Sequence, residues 1–142
     1  MASIHSLRTL TRILSVCKTP EQTRDVLESY RGADWKSHVK IDPNSYNRAI
    51  VSNQDGLEVA ILTWNHNQAS NMHNNESICT ALVLQGTLVE TVYSPHGIEP
   101  LRIRRWKPDD CFGSNSQDYW HAICNQGAWP AVSLHVYHRN KE

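Results

Sequence analysis

The N-terminal part of the chain carries its apolar residues at helical spacing. Leucine and isoleucine side chains at positions 7, 10, 13 and 14 fall on one face of an α-helix. The segment Thr19–Gln22 then supplies a threonine N-cap, a proline at the first helical position and a glutamine three residues after the cap. We predict that this second helix continues through Tyr30 and ends at Gly32, because glycine commonly follows the last helical turn.

From about residue 46 the pattern changes to short runs of branched and aromatic residues separated by turn signals. The runs are Ala49–Val51, Leu57–Trp64, Cys79–Leu84, Leu88–Tyr93, Leu101–Trp106 and Val132–Tyr137. Many short strands with regular turns predict an antiparallel sandwich or barrel. We therefore expect a mainly β protein with one domain over residues 1–142, in which a helical segment (1–32) covers an antiparallel β-barrel (about 46–138).

Charge and cysteine content narrow the function classes. The 142 residues include 14 Lys plus Arg and 14 Asp plus Glu, so the formal net charge is zero. A dedicated binder of nucleic acid or anionic membrane would carry a basic excess, and no apolar run is long enough to span a membrane. The four cysteines form no CxxC pair, which argues against a structural zinc knuckle. We expect reduced thiols and a cytoplasmic protein.

One stretch has the form of a metal-binding motif. His73 and Asn75 are two apart and share a face if this stretch is a strand. Three residues separate Asn75 from Cys79, and six separate Cys79 from Gly86. This frame resembles the first motif of the cupin superfamily, with asparagine for the second histidine and cysteine for the acidic residue. His121, followed four residues later by asparagine, resembles the end of the second cupin motif.

The cysteine in this frame makes the chain similar to the cysteine dioxygenase family of mononuclear iron thiol dioxygenases. Tyr46-Asn47-Arg48 has the form of the family's tyrosine and arginine, and Trp64 stands nine residues before His73, as the family's tryptophan does. The segment Pro130–Tyr137 reads Pro-Ala-Val-Ser-Leu-His-Val-Tyr, which matches the family's tail. The resemblance covers about residues 46 to 137 and implies a cupin-type jelly roll.

The resemblance implies an Fe(2+) site and the residues that hold it. His73 and His121 would be iron ligands, and Asn75 occupies the place of the family's second metal-ligand histidine. Three interpretations of that place stay open. Asn75 binds iron through its amide oxygen, a neighbour such as Glu76 (brought inward by a bulge) or His66 takes its place, or the site has lost its metal.

The same resemblance implies the residues around the iron. Arg48, with Tyr46, would bind the substrate carboxylate, a task that suits a planar bidentate donor. Tyr137 would lie beside the iron and the substrate, next to Cys79, and in some family members this pair is joined by a thioether bond. Alternate residues of one strand share a face, so Ser133 and His135 would orient Tyr137.

Two functions follow as alternatives. The first is oxidation of L-cysteine, or of a related small thiol, by O2 to the sulfinate, carried out by a monomer that needs no nucleic acid or membrane. The second is a catalytically inactive cupin that binds a small carboxylate or thiol, or a protein partner. The missing histidine at position 75 favours the second, and the retained residues around it favour the first.

Overall fold

The computed structural model describes residues 2–73, 78–114 and 120–138. In these ranges two α-helices and a 3-10 turn precede the strands: Leu7–Leu14 (α1), Pro20–Glu28 (α2) and the turn Asp34–His38. Eight strands follow: Asn47–Gln54 (β1), Leu57–Trp64 (β2), Ile78–Gln85 (β3), Leu88–Tyr93 (β4), Pro100–Trp106 (β5), Cys111–Ser114 (β6), Trp120–Cys124 (β7) and Ala131–His138 (β8). None of the described helices is long and apolar enough to cross a membrane.

All strand pairs are antiparallel, and the strands form two sheets. The larger sheet has the order β1-β2-β8-β3-β6 and the smaller one the order β5-β4-β7. The two sheets are not joined into a closed barrel by hydrogen bonds in the described ranges. Strands β8 and β3, which are distant in sequence, are neighbours in the larger sheet, as expected for a jelly roll. The prediction of a mainly β, antiparallel protein with short N-terminal helices is confirmed.

The central strands of the larger sheet, β2, β8 and β3, are buried on both faces. The outer face of the sheet packs against the helices, through residues such as Val59, Ile61 and Leu134. Its inner face packs against the smaller sheet, through residues such as Leu62 and Trp64. Because both faces are covered, every residue of β2 is buried and the strand shows no alternation of apolar and polar positions.

The helices form largely where the sequence predicts them. The Thr19 side chain caps α2 by accepting a hydrogen bond from the backbone N–H of Gln22 at 3.1 Å. The predicted end of this helix is wrong: α2 ends at Glu28, and Tyr30 instead forms a bridge with Ile4. Gly32 is needed for a close approach rather than a cap, since a Cβ there would lie 2.6 Å from a backbone oxygen and 2.7 Å from the Tyr30 ring.

The predicted strands lie within observed ones, and two strands were missed. β2 and β4 have the predicted bounds, whereas β1 extends well beyond Ala49–Val51. The sequence does not predict the short strands β6 and β7, because neither contains a run of β-branched residues. Pairing with longer neighbours holds them in place: β6 pairs with β3 and β7 with β4. The second omission matters because β7 carries His121.

The two-sided burial of the larger sheet predicts a large stability effect at its centre. Leu134 is fully buried and lies between Ile61 of β2 and Leu82 of β3. We expect Leu134→Ala to lower the free energy of unfolding by about 2–5 kcal/mol, because it removes apolar burial and leaves a cavity. Urea denaturation followed by circular dichroism measures this change. The matched control is Leu101→Ala on β5, where the side chain is 52% exposed and the change should stay within about 0.5 kcal/mol. Equal losses in both variants would contradict the packing described.

Candidate active site

A cavity of about 70 Å³ lies between the inner face of the larger sheet and β7 of the smaller one. Its walls include six of the residues singled out from the sequence: Tyr46, His73, Cys79, His121, His135 and Tyr137. Trp64, Leu62, Phe112 and Ile123 supply apolar wall. The cavity is therefore small, largely apolar and lined by imidazole, phenol and thiol groups at defined positions, as expected of a site for a small ligand.

Two histidines converge at this cavity. His121 lies on β7, and His73 is held opposite it by a reciprocal pair of backbone hydrogen bonds of 2.9 and 2.8 Å. The Nε2 atoms of the two rings are 3.0 Å apart. The two imidazoles come from segments far apart in sequence, so the packing of the chain, rather than local spacing, creates the pair.

The outer nitrogens of both rings face acceptors, which fixes the tautomers. Nδ1 of His121 lies 2.9 Å from a carboxylate oxygen of Glu90, and Nδ1 of His73 lies 2.7 Å from the carbonyl oxygen of Asn71. A carboxylate and a carbonyl accept hydrogen bonds, so each neutral imidazole carries its proton on Nδ1 and directs the lone pair of Nε2 into the cavity. Burial is the main cause that lowers the pKa of His73, which keeps this imidazole neutral.

This arrangement fits a metal ion. Two lone pairs 3.0 Å apart repel each other unless a cation lies between them. Metal–imidazole bonds are about 2.1 Å long, so two such ligands at a right angle have nitrogens about 3.0 Å apart. Glu90 also accepts a hydrogen bond from the indole N–H of Trp106 at 3.2 Å and is 5% exposed. A buried carboxylate that fixes a ligand histidine from behind is a common feature of metal sites.

The sequence names three candidates for the third ligand position. Two of them, Asn75 and Glu76, lie outside the ranges that the structure describes. Within those ranges no group of three or more His, Cys, Asp or Glu side chains is arranged to hold a metal. His66 is exposed, and its Nδ1 lies 2.6 Å from the carbonyl oxygen of Gly127, so it does not supply the missing ligand here.

A chain of hydrogen bonds runs along the inner face of β8. The indole N–H of Trp64 donates to Oγ of Ser133 at 2.9 Å, and Ser133 lies 2.8 Å from Nε2 of His135. An indole only donates, so Oγ of Ser133 accepts this hydrogen bond, and its second hydrogen bond is with Nε2 of His135. The other ring nitrogen of His135 is Nδ1. That nitrogen is 3.4 Å from the Tyr137 hydroxyl and 4.0 Å from the sulfur of Cys79. The chain therefore ends at the tyrosine and the cysteine.

Burial keeps all three groups at this end uncharged. It lowers the pKa of His135 to about 3, with the positive charge of Arg48 as a second cause. It raises the pKa of the Cys79 thiol to about 12, and it raises that of Tyr137 well above its ordinary value. Cys79 and Tyr137 are also direct cross-strand partners of β3 and β8. A neutral imidazole, a thiol and a phenol thus share one end of the cavity.

The tyrosine and arginine named from the sequence border the same region. Tyr46 stacks on Trp64 with ring centroids 4.5 Å apart and forms part of the cavity wall. Arg48 of β1 places its guanidinium carbon 5.2 Å from the centre of the Tyr137 ring, and its side chain is 35% exposed. It also forms an ion pair with Glu58 of β2. The guanidinium therefore contacts the ring of Tyr137, a residue of the cavity wall.

The sequence reasoning missed two functional candidates, Glu90 and Glu58. Both are buried carboxylates in strands whose other residues are mostly apolar or β-branched. Glu90 lies in Leu88–Tyr93 and Glu58 in Leu57–Trp64. A charged residue inside such a run was an available signal, because a buried carboxylate must have a partner. The histidine and the arginine that supply those partners lie far away in sequence, so the partners themselves could not be identified.

Comparison with known proteins gives a family and a fold. The model of the family described as cysteine dioxygenase type I matches residues 7–140. A solved structure from Thermus thermophilus is similar with 19% identity and a TM-score of 0.65, over 77% of this chain and 97% of that one. A cupin superfamily protein from Desulfitobacterium hafniense has 15% identity and a TM-score of 0.63, over 78% and 92% of the two chains. These likenesses confirm the predicted cupin-type fold. No functionally curated protein matches the chain.

The depressed pKa of His135 predicts a stability that depends on pH. The unfolded chain binds a proton at this residue below its ordinary pKa of 6.5, whereas the folded chain does so only near pH 3. The contribution of neutral, buried His135 to the free energy of unfolding is therefore fully present above about pH 6.5. It is lost as the pH falls toward 3, at up to about 1.4 kcal/mol per pH unit. Urea denaturation at a series of pH values measures it. We expect His135→Gln to flatten the dependence in this window, and an unchanged slope would contradict the assignment.

The contact between Glu90 and His121 predicts an effect on metal affinity. Glu90→Gln keeps the size of the side chain and removes the charge behind the imidazole, which makes Nε2 a weaker donor to a metal. We expect affinity for Co(II), followed by visible absorption, to fall by about 10–100-fold. Glu99→Gln removes an equal charge from an exposed turn and should leave the affinity unchanged. Equal affinities in the two variants would show that Glu90 does not support a metal ligand.

Proposed function

Since this chain belongs to the cysteine dioxygenase type I family, we propose that it is a non-haem iron thiol dioxygenase that oxidises L-cysteine or a related small thiol to the sulfinate. In this reaction the S–H bond of the thiol breaks, two S–O bonds form and a proton is released. O2 supplies both oxygen atoms and accepts the electrons that the sulfur loses.

One observation carries the proposal: the imidazoles of His73 and His121 bring their Nε2 atoms within 3.0 Å of each other at a small cavity. His73 and His121 would hold Fe(2+), with Asn75, or Glu76 in its place, as the proposed third ligand. Iron bound there supplies a redox centre with open positions for a thiol and O2. Neutral ligands suit that task because they do not offset the positive charge of the metal, which can then attract a thiolate.

The residues of β8 would control a proton beside the reacting sulfur. Ser133 lies within hydrogen-bond distance of Nε2 of His135, and Nδ1 of the same ring lies toward Tyr137. The raised pKa of Tyr137 keeps its hydroxyl protonated at neutral pH, so it can donate a hydrogen bond into the cavity. Cys79 would pack against the tyrosine from the neighbouring strand and restrict its ring. In this proposal Tyr137 is the catalytic residue and the others position it.

Arg48 and Tyr46 would recognise the end of the substrate that is remote from the sulfur. Tyr46 is in the cavity wall, and the guanidinium of Arg48 lies against Tyr137 at the edge of the cavity. A guanidinium can bind a carboxylate through two parallel hydrogen bonds, which would orient the thiol toward the histidine pair.

We propose that the protein acts in the cytoplasm as a monomer, with the small thiol and O2 as its only partners and without nucleic acid or membrane. Its zero net charge supports the absence of a polyanionic partner. The four cysteines are free thiols, which is consistent with a reducing compartment.

The alternative proposal is a cupin that binds a small thiol or carboxylate without turnover. The feature that favours it is in the sequence: Asn75 stands where the family has a histidine, and an amide oxygen is a weaker ligand than imidazole for such a metal. Under this proposal the cavity, Arg48 and the β8 hydrogen bonds serve binding alone.

Oxygen uptake decides between the two proposals. The purified protein is loaded with Fe(II) in the absence of air and given L-cysteine and O2, while an electrode records uptake and mass spectrometry records sulfinate. We expect equal molar amounts of O2 consumed and sulfinate formed, and loss of both after chelation or in His121→Ala. A folded, iron-loaded sample that forms no sulfinate from small thiols would refute the dioxygenase proposal.

Asn75→His provides the matched comparison for the third ligand position. In an active enzyme the wild-type chain already retains Fe(II), and the variant should bind it more tightly, because imidazole is a better ligand than an amide oxygen for this metal. In a binding protein without turnover, only the variant would retain iron. Equilibrium dialysis of both chains distinguishes these outcomes.

A further inference from the structure

The ion pair between Arg48 and Glu58 involves the guanidinium to which the proposed function assigns the substrate carboxylate. Glu58 stands on β2 directly opposite Tyr137 of β8, on the same inner face as Leu62 and Trp64. Its side chain is 6% exposed, whereas that of Arg48 is 35% exposed. The protein therefore supplies its own buried carboxylate to the arginine that contacts Tyr137 of the cavity wall.

The pairing involves the same groups that would recognise the substrate. Nη2 of Arg48 contacts a carboxylate oxygen of Glu58, while the guanidinium carbon stays 5.2 Å from the centre of the Tyr137 ring. At least one N–H group of the guanidinium is thus already hydrogen-bonded within the protein. A substrate carboxylate would have to share the remaining N–H groups of Arg48 with a second carboxylate a few ångströms away.

Electrostatics determines the consequence of this sharing. The pair formed by Arg48 and Glu58 has no net charge, so it attracts an incoming anion much less than an unpaired guanidinium would. Two carboxylates on one guanidinium leave the cluster with a net negative charge, and burial of Glu58 limits how far water can screen it. A ligand whose corresponding group is neutral avoids this repulsion and still finds hydrogen-bond donors on the exposed side of Arg48.

We propose that Glu58 determines substrate specificity: it lowers the preference of the site for a free carboxylate and admits small aminothiols in which that group is neutral, such as an amide. This inference rests on the proposed thiol dioxygenase function and refines its substrate class. L-Cysteine and L-cysteinamide are the appropriate probes, because they differ only at the group that Arg48 would contact.

The test compares both probes in the wild-type protein and in Glu58→Gln, which keeps the shape of the side chain and removes its charge. We expect the wild-type kcat/KM values for the two thiols to lie within about tenfold of each other. In Glu58→Gln the ratio of cysteine to cysteinamide should rise by about tenfold, mainly through a lower KM for cysteine. Glu58→Ala, which also removes the charge and cannot overfill the space, should shift the ratio in the same direction. A ratio that changes less than twofold in both variants overturns the proposal.

A binding measurement separates this inference from the function on which it rests. Anaerobic titration calorimetry should show that Glu58→Gln binds L-cysteine about tenfold more tightly and binds L-cysteinamide as the wild type does. Glu99→Gln, on the surface, should change neither affinity. Tighter cysteine binding without any sulfinate would refute the dioxygenase and support the role of Glu58. Sulfinate formation with unchanged ratios and affinities would support the dioxygenase and refute the role of Glu58.

Discussion

The burial of the central strands of the larger sheet on both of their faces is the constraint on which the rest of the structure depends. Helices cover the outer face and the smaller sheet covers the inner one, so the inner-facing side chains of β2, β3 and β8 are removed from water. A polar group in such a place must find a partner within the protein, because an unpaired donor or acceptor would cost about 1–3 kcal/mol. In the described ranges no buried side-chain nitrogen or oxygen lacks a hydrogen-bond partner.

Because of this requirement, hydrogen bonds hold the polar side chains of the interior in defined orientations. The β8 hydrogen bonds hold the ring of His135 in place, and Glu90 fixes the tautomer of His121. The same dryness sets the protonation states, because burial is the largest cause of the pKa shifts of His135, Cys79 and Tyr137. The fold therefore prepares a neutral imidazole, a thiol and a phenol before any ligand enters, and the reorganisation needed on binding is small.

Most of the fold and much of the site could be predicted from the sequence, for reasons that differ between residues. Runs such as Leu57–Trp64 predict strands because β-branched and apolar residues favour pleated, buried positions. The sequence of β7 does not predict a strand, since Trp120–Cys124 forms one through pairing with β4 rather than through its own preference. Ser133, His135 and Tyr137 share a face because side chains alternate along a strand, and this can be predicted from the local sequence. The partners Glu90 and Glu58 depend on which strands become neighbours, and no local pattern contains that information.

The two chemical halves of the site come from opposite sheets, and this gives the packing a direct part in function. His121 and Glu90 belong to the smaller sheet, whereas His135 and Tyr137 belong to the larger one. The distance between the pair of His73 and His121 and the hydroxyl of Tyr137 is thus set by how closely the sheets approach, through contacts such as Trp106 on Phe112 at 5.3 Å. Because the helices bury the outer face of the larger sheet, they keep that sheet fixed against its neighbour. In this fold, residues that never touch the cavity still define its geometry.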